Sequence, residues 1–260
     1  FHADVPLFED VERADHAQLR FRLSGGDASY AFPDDTVQPA GEVHIVGPTS
    51  GAFRTRAEGP VDVIGMGLQP AGWAALLGID ASAMLNRALD GEVFFGPAVR
   101  HVCNRMRAAR STEDKVAVAA AFVRGSIAAA DTGAMIFARQ IDAWLAGSPS
   151  PDVGELVETT GLSRRQVERR CNMLYGAPPK LLARKYRALR AGVALANGAA
   201  TLDELIAEGF YDQSHLIREL KQFTGLTPRQ LRTEPHVLTQ LTMSQRLALA
   251  GEVHPIISDT

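Results

Sequence analysis

Cysteine is almost missing from this chain: 260 residues contain only Cys103 and Cys171. Two thiols so far apart exclude a disulfide framework and a Cys-rich zinc site, and they fit a reducing cytoplasm. No run of about 18 apolar residues occurs, so no transmembrane helix is expected. Nothing near Phe1 has the make-up of a secretory signal, and the lack of an initial methionine allows for residues upstream. Seven histidines are present without a close His-pair motif. Glu42 and His44, two apart on a predicted strand, share one face, but a metal site needs three or four converging ligands. Metal catalysis is therefore not expected, and neither a cofactor nor an enzymatic activity is assigned.

What remains is an ordinary globular composition, 46% hydrophobic and 22% charged, long enough for two domains. The net charge of −3 conceals an asymmetry. Residues 1–147 hold 13 Lys/Arg against 18 Asp/Glu, net −5. Residues 161–190 hold nine basic side chains, Arg164, Arg165, Arg169, Arg170, Lys180, Arg184, Lys185, Arg187 and Arg190, against Glu168 alone, net +8. A basic segment of that density, lacking the acids that usually sit at i+4, is the electrostatic footprint of a polyanion partner. A solvated helix face is the bland alternative.

Short β-type runs at 19–23, 43–46, 53–55 and 61–67 are separated by Gly/Pro/Asp clusters, which predicts a small sandwich or barrel over residues 1–98. Helices are expected at 72–77 and at 81–89, the second capped by Asp80 or Ser82. Helical periodicity then takes over at 101–109, 115–130 and 134–146. The last two are alanine-rich and can pack closely against each other or a second subunit. The segment from Gly147 to Asp152, with Pro149 and Pro151, is the clearest linker. The division expected is an N-terminal domain over 1–147, a helical domain over 148–235 and a tail over 236–260. The tail is amphipathic enough to dock on another surface.

The most informative pattern is a repeat. Between Asp152 and Arg232 one helix–turn–helix pattern is written twice, shifted by 49 positions: Leu156 maps to Leu205, Ser163 to Asp212, Val167 to Leu216, Arg169 to Arg218, Gly176 to Gly225 and Pro179 to Pro228. In each copy a short apolar helix runs into a glycine turn, at Gly161 and Gly209. A capping residue then starts a second helix that ends at glycine, with proline three residues later. Two helices packed this way can project the second into a DNA major groove.

The stretches GLSRRQVERRCNMLYGAPPKLLARKYRALRA, from Gly161, and GFYDQSHLIRELKQFTGLTPRQLR, from Gly209, resemble the C-terminal DNA-binding domain of the AraC/XylS family of bacterial transcription regulators. Leu216, Leu220 and Cys171 stand where that family commonly has phenylalanine, and the second half is one residue shorter between Leu202 and Gly209. The stretches VHIVGPTSGAF and VDVIGMGLQPAGWAALLG are similar to the small cupin-like domains of one branch of the family. The resemblance implies an α+β chain, in which a β-rich cupin-like domain with accessory helices precedes an all-α domain with two helix–turn–helix motifs. It also implies duplex DNA as partner, with a small-molecule effector, a homodimer, and RNA polymerase for an activator as further partners. A relative of this domain joined to a zinc–thiolate methyl acceptor would need a cysteine cluster that is missing here.

The first recognition helix is expected from Arg164 to about Tyr175. Val167, Cys171 and Leu174 recur at helical spacing and face the core, which leaves Arg165, Glu168, Arg169 and Asn172 toward the groove, with Arg164 at the helix start. Arginine can bond guanine bidentately and Glu168 can accept from cytosine. The resemblance assigns base contact to Arg165, Glu168 and Arg169. In the second half Leu216, Leu220 and Phe223 form the buried stripe. Gln213, Ser214 and Arg218 face outward at the family's contact positions, while His215 is expected to pack within the domain. A connector over 179–197 holds the two helices apart, and Lys180, Arg184 and Lys185 on it are candidates for phosphate contact. Trp73, Phe94, Phe95 and Phe53 can line an effector pocket or a core. Arg100, His101, Arg105, Arg107 and Arg110 can meet an anionic ligand or solvent. The competing reading is a DNA-binding regulator whose N-terminal domain only dimerises or binds a protein.

Overall fold

Alternation of side chains along the strands explains how this sequence builds a barrel-like sandwich whose larger sheet is covered by helices. The structure, a computed structural model, describes residues 1–127, 131–258 and 260. Its strands are β1 (His2–Ala3), β2 (Leu7–Glu12), β3 (Ala17–Arg22), β4 (Ala28–Ala31), β5 (Val37–Pro39), β6 (Val43–Val46), β7 (Phe53–Glu58), β8 (Val61–Leu68) and β9 (Ala88–Asp90). One sheet has the order β1-β8-β3-β6-β9 and the other β2-β7-β4-β5, with every pairing antiparallel. β3 lies centrally in the first sheet, with Leu19 opposite both Ile45 and Met66. Its odd residues, Leu19 and Phe21, join Val43 and Ile45 in the largest apolar core. Its even residues, Gln18, Arg20 and Arg22, face the space between the sheets. Both faces of the strand are therefore covered, and two arginines point inward.

The outer face of that sheet is roofed by α1 (Pro70–Leu76), α2 (Glu92–Phe95), α3 (Val99–Ala108) and α4 (Thr112–Ser126), which contribute Trp73, Val102, Met106 and Ala119 to the core. The helix expected over 81–89 does not form. Asp80 does cap a helical start, accepting from the Ser82 N–H, but only a single 3-10 turn follows (Ala81–Met84). Residues 88–90 instead pair with β6, a long-range ladder that outweighs local propensity. Of the helix expected over 115–130, residues 128–130 lie outside the described residues.

The helical part comprises α5 (Thr132–Gly147), α6 (Val153–Thr160), α7 (Arg164–Tyr175), α8 (Pro179–Ala196), α9 (Leu202–Gly209), α10 (Gln213–Thr224), α11 (Pro228–Thr233), α12 (Val237–Leu247) and α13 (Pro255–Ser258). The alanine-rich helices α4 and α5 serve different cores. Ala119 of α4 packs in the barrel core, whereas Phe137, Ile141 and Leu145 of α5 share a cluster with Leu156, Val167, Cys171 and Leu182. A third cluster joins Leu195 of α8 to Leu205, Leu216, Leu220 and Leu231. Among the described residues no helix is long and apolar enough to cross a membrane.

The N-terminal part is seated on the C-terminal ends of both α7 and α10. Gly176 ends α7 at φ 73°, and a Cβ there would lie 3.0 Å from Pro48 Cγ and 3.1 Å from the Ala81 carbonyl oxygen. Gly225 ends α10 at φ 75°, and a Cβ there would lie 2.5 Å from Val11 Cγ1. The last carbonyls of a helix lack intrahelical donors. Here the Ala14 N–H donates to the Phe223 oxygen at 2.7 Å and the Ala52 N–H to the Gln222 oxygen at 2.8 Å. Lys185 of α8 is buried and donates through Nζ to the carbonyl oxygens of Asp15 (2.7 Å) and Thr49 (3.4 Å). Tyr186 Oη lies 2.6 Å from His16 Nε2.

Two outcomes follow from this seam. Gly225→Ala should lower stability by roughly 1–3 kcal/mol in denaturant titration, since it combines left-handed backbone with a steric clash. Burial, which disfavours the imidazolium, lowers the pKa of His16 from 6.5 to about 3. The unfolded chain therefore binds a proton that the folded one refuses, and stability falls as pH drops below about 6.5. The steepest slope is roughly 1.4 kcal/mol per pH unit for such a group, and His16→Gln should flatten the melting-temperature profile between pH 7 and 5.

Candidate nucleic-acid interface and barrel cavity

Local chemistry fixes both recognition helices. α7 opens with a capping box, in which Ser163 accepts from the Gln166 N–H and the Gln166 side chain accepts from the Ser163 N–H. α10 opens at Asp212, which accepts from the His215 N–H at 2.7 Å. Both close on left-handed glycines, and Pro179 and Pro228 open the helices that follow. The glycine turns before them differ: Gly161 is a left-handed cap, whereas α9 runs through Gly209 and is capped by buried Phe210. Val167, Cys171, Leu216, Leu220 and Phe223 are fully buried and Leu174 nearly so, as the helical spacing requires.

The opposite faces are open. Arg164, Arg165, Glu168, Arg169, Lys180, Gln213, Ser214 and Arg218 are exposed, and Asn172 is half-buried. Arg164 and Glu168 form a loose pair at 3.8 Å. Exposed pairs of this kind contribute little and are readily exchanged. The connector α8, 18 residues long, spans about 27 Å and lies between the two faces.

The other basic residues are committed within the protein. Arg184, a candidate for phosphate contact, donates through Nε and Nη2 to the buried Glu219 carboxylate at 3.0 and 2.7 Å. It braces α8 against α10. Lys185, the third candidate on the connector, is held in the seam with the N-terminal part and is inaccessible to a phosphate. Arg170 lies over the Phe137 ring, Arg187 over Phe210, and Arg190 donates to the Leu145 and Ser148 carbonyl oxygens. His215 stays within the domain, its Nδ1 accepting the Tyr211 N–H at 3.1 Å.

A cavity of about 550 Å³ lies between the sheets of the N-terminal part. Phe8, Ala57, Val63, Ile64, Met66 and Leu68 supply apolar wall; Glu12, Arg20, Arg22, Asp15 and His16 supply a polar one. Arg20 donates to Glu12 and to Tyr30 Oη, and Tyr30 in turn lies 2.7 Å from His44 Nε2. The Nδ1 atom of His44 is 2.9 Å from the Gly41 carbonyl oxygen, and burial lowers its pKa to about 3. Glu42 pairs with Arg107 and Glu92 with Arg100, and none of the four lines the cavity. Trp73 and Phe53 belong to apolar cores rather than to the cavity wall. Among the described residues no three His, Cys, Asp or Glu side chains cluster as metal ligands. The inward arginines and the lining tail were not foreseen; the alternation of Arg20 and Arg22 with Leu19 and Phe21 was the available signal.

Two helix–turn–helix units joined by one connector, each with an open polar face, define a DNA-binding domain. The family model described as a helix-turn-helix domain matches residues 156–234, and this stretch is a helix–turn–helix domain of the AraC type. Curated proteins yield no match. Among solved structures, a variant of ToxT from Vibrio cholerae in its apo form is similar at 10% identity and a TM-score of 0.48, over 90% of this chain and 100% of that one. Another ToxT structure gives 10% identity and 0.47, over 88% and 99%. Wild-type ToxT with bound unsaturated fatty acid gives 9% and 0.47, over 88% and 96%.

Substitutions can separate reading from bracing. Arg169→Ala should weaken specific DNA binding by roughly 1–3 kcal/mol and relax preference at one base pair. Lys180→Ala should weaken all sequences alike and reduce the salt slope by about one unit. Arg184→Ala should instead lower the unfolding midpoint and leave the salt slope unchanged. Binding measured on matched and mismatched duplexes over a salt series, with thermal denaturation alongside, distinguishes the three.

Proposed function

We propose that this protein is a sequence-specific DNA-binding transcription regulator whose N-terminal barrel takes a small effector. The observation that carries the reading is the pair of open recognition faces, Arg165/Glu168/Arg169 on α7 and Gln213/Ser214/Arg218 on α10, on helices braced by α8. Arg165 and Arg169 hold no hydrogen bond or ion pair among the described residues, so their donors are free for guanine edges. Lys180 extends the basic surface along the connector toward phosphate. Arg184 belongs to the interface as a brace. The acidic balance of residues 1–147 supports a regulatory rather than a DNA-contacting role for that part. A cavity of about 550 Å³ is of the size that takes small molecules.

The connector length supports recognition helices in successive major grooves on one side of the duplex, about 34 Å apart. Selection of duplex sites with the full chain, followed by hydroxyl-radical footprinting, should give two protected segments one helical turn apart. Protection confined to one segment would remove α10 from the reading, and Arg218→Ala should then leave affinity unchanged.

A further inference from the structure

The two copies of the helix–turn–helix differ at one position that the repeat would place against the core. The residue before a helix N-cap often packs on the fourth residue of the helix, a hydrophobic staple that fixes how the chain enters. The first copy follows this rule. Leu162 precedes the N-cap Ser163 and packs on the apolar cluster that holds Val167, the fourth residue of α7. The shift of 49 positions that relates the copies carries Leu162 to Tyr211 and Val167 to Leu216. Leu216 is fully buried, as the repeat requires, but Tyr211 is 90% exposed.

The cause lies one residue earlier. The second copy has buried Phe210 where the first has the turn glycine Gly161. Phe210 shares a cluster with Leu205, Leu216 and Leu220, and its ring centre is 5.7 Å from that of His215 and 5.0 Å from the Arg187 guanidinium. Phe210 therefore takes the place of the staple, and Tyr211 is turned out. Its backbone is held all the same. The Tyr211 N–H donates to His215 Nδ1 at 3.1 Å, and the Asp212 carboxylate accepts the His215 N–H at 2.7 Å. The Tyr211 side chain makes no hydrogen bond or ring contact among the described residues.

A large aromatic side chain thus stands on an anchored backbone directly ahead of α10, next to exposed Gln213 and Ser214. The first residues of a recognition helix are those that meet base edges. Two residues of chain span at most about 7 Å, roughly two base-pair steps. A tyrosine offers DNA two things: a hydroxyl for phosphate and a ring for an apolar surface. The neighbouring Asp212 carboxylate disfavours a phosphate at this point. The apolar group on the major-groove edge of a base pair is the thymine methyl. We propose that Tyr211 is a specificity-determining residue of the second half-site, its ring packed on the 5-methyl group of a thymine within about two base pairs of the base met by Gln213. The inference rests on the DNA-binding reading given above. The first copy, with Leu162 packed on its core, has no counterpart to this contact, so the two half-sites are read by unlike chemistry.

Fluorescence anisotropy with the full chain and a selected site tests this, with the thymines replaced one at a time by deoxyuridine, which removes only the methyl group. One replacement in the second half-site should weaken wild-type binding about fourfold, as expected for one buried methyl group. Tyr211→Ala should bind the parent site roughly tenfold more weakly and be indifferent to that replacement. Its melting temperature should match the wild type, because the side chain is exposed. Tyr211→Phe should bind and discriminate as the wild type does. A wild type indifferent to every thymine methyl of the second half-site overturns the assignment, as does a Tyr211→Ala variant that still loses affinity at the same deoxyuridine. Tyr211→Phe binding as weakly as Tyr211→Ala also overturns it, by placing the hydroxyl rather than the ring on the DNA. None of these outcomes touches the DNA-binding reading, which Arg169→Ala tests separately at the first half-site. Absence of any sequence-selective binding by the wild type overturns both.

Discussion

Two backbone N–H groups, those of Ala14 and Ala52, cap the carbonyl end of α10, and the relation between the two halves of the molecule depends on that contact. A helix ends with carbonyls that need donors, and here the donors come from a different folding unit. The barrel loops must therefore be in place for the second recognition helix to be complete. Gly225 permits the approach, since any side chain there would collide with Val11. Gly176 does the same for α7 against Pro48 and Ala81. Equivalent positions of the repeat thus carry a second duty: each ends its helix and each receives the barrel.

The seam is polar as well as apolar, which makes it expensive to open. Lys185 gives its ammonium to two carbonyls, and Ala14 packs with Ala188, Leu189 and Phe223. Burial of such groups is tolerated only when they are hydrogen-bonded, and most here are. Arg13 is the exception in this seam, with two donors left unmet beside Asp15. Exceptions of that kind are where a buried network has more than one stable arrangement.

The double helix–turn–helix could be read from the sequence because its signals are local. Capping residues, glycine ends, proline starts and the three- and four-residue apolar spacing all lie within a few positions of the structure they specify. The barrel was legible as strands but not as topology. Residues 81–89 carry a helical pattern, yet residues 88–90 complete a sheet through partners some forty positions earlier, which no local signal announces. The basic count over 161–190 pointed to the right partner for partly the wrong residues. Arg184, Lys185, Arg187 and Arg190 hold helices and loops together, and only their neighbours in space reveal this. Arg20 and Arg22 stayed hidden for the same reason: their strand is covered on both faces, so its charged residues point into the barrel rather than out to water.

The capping of α10 by the barrel also bears on how interchangeable the halves of such a protein are. A linker rich in proline and serine invites division at residues 147–152, as if two modules had been joined end to end. The contacts of Val11, Ala14, Pro48 and Ala52 show that the modules are joined at their surfaces too. A chimera that exchanged the DNA-binding half alone would inherit a recognition helix with bare carbonyls and a glycine facing the wrong loop. The unit that can be transplanted is the helical half together with the two barrel loops beneath it, and recombination within this architecture is constrained accordingly.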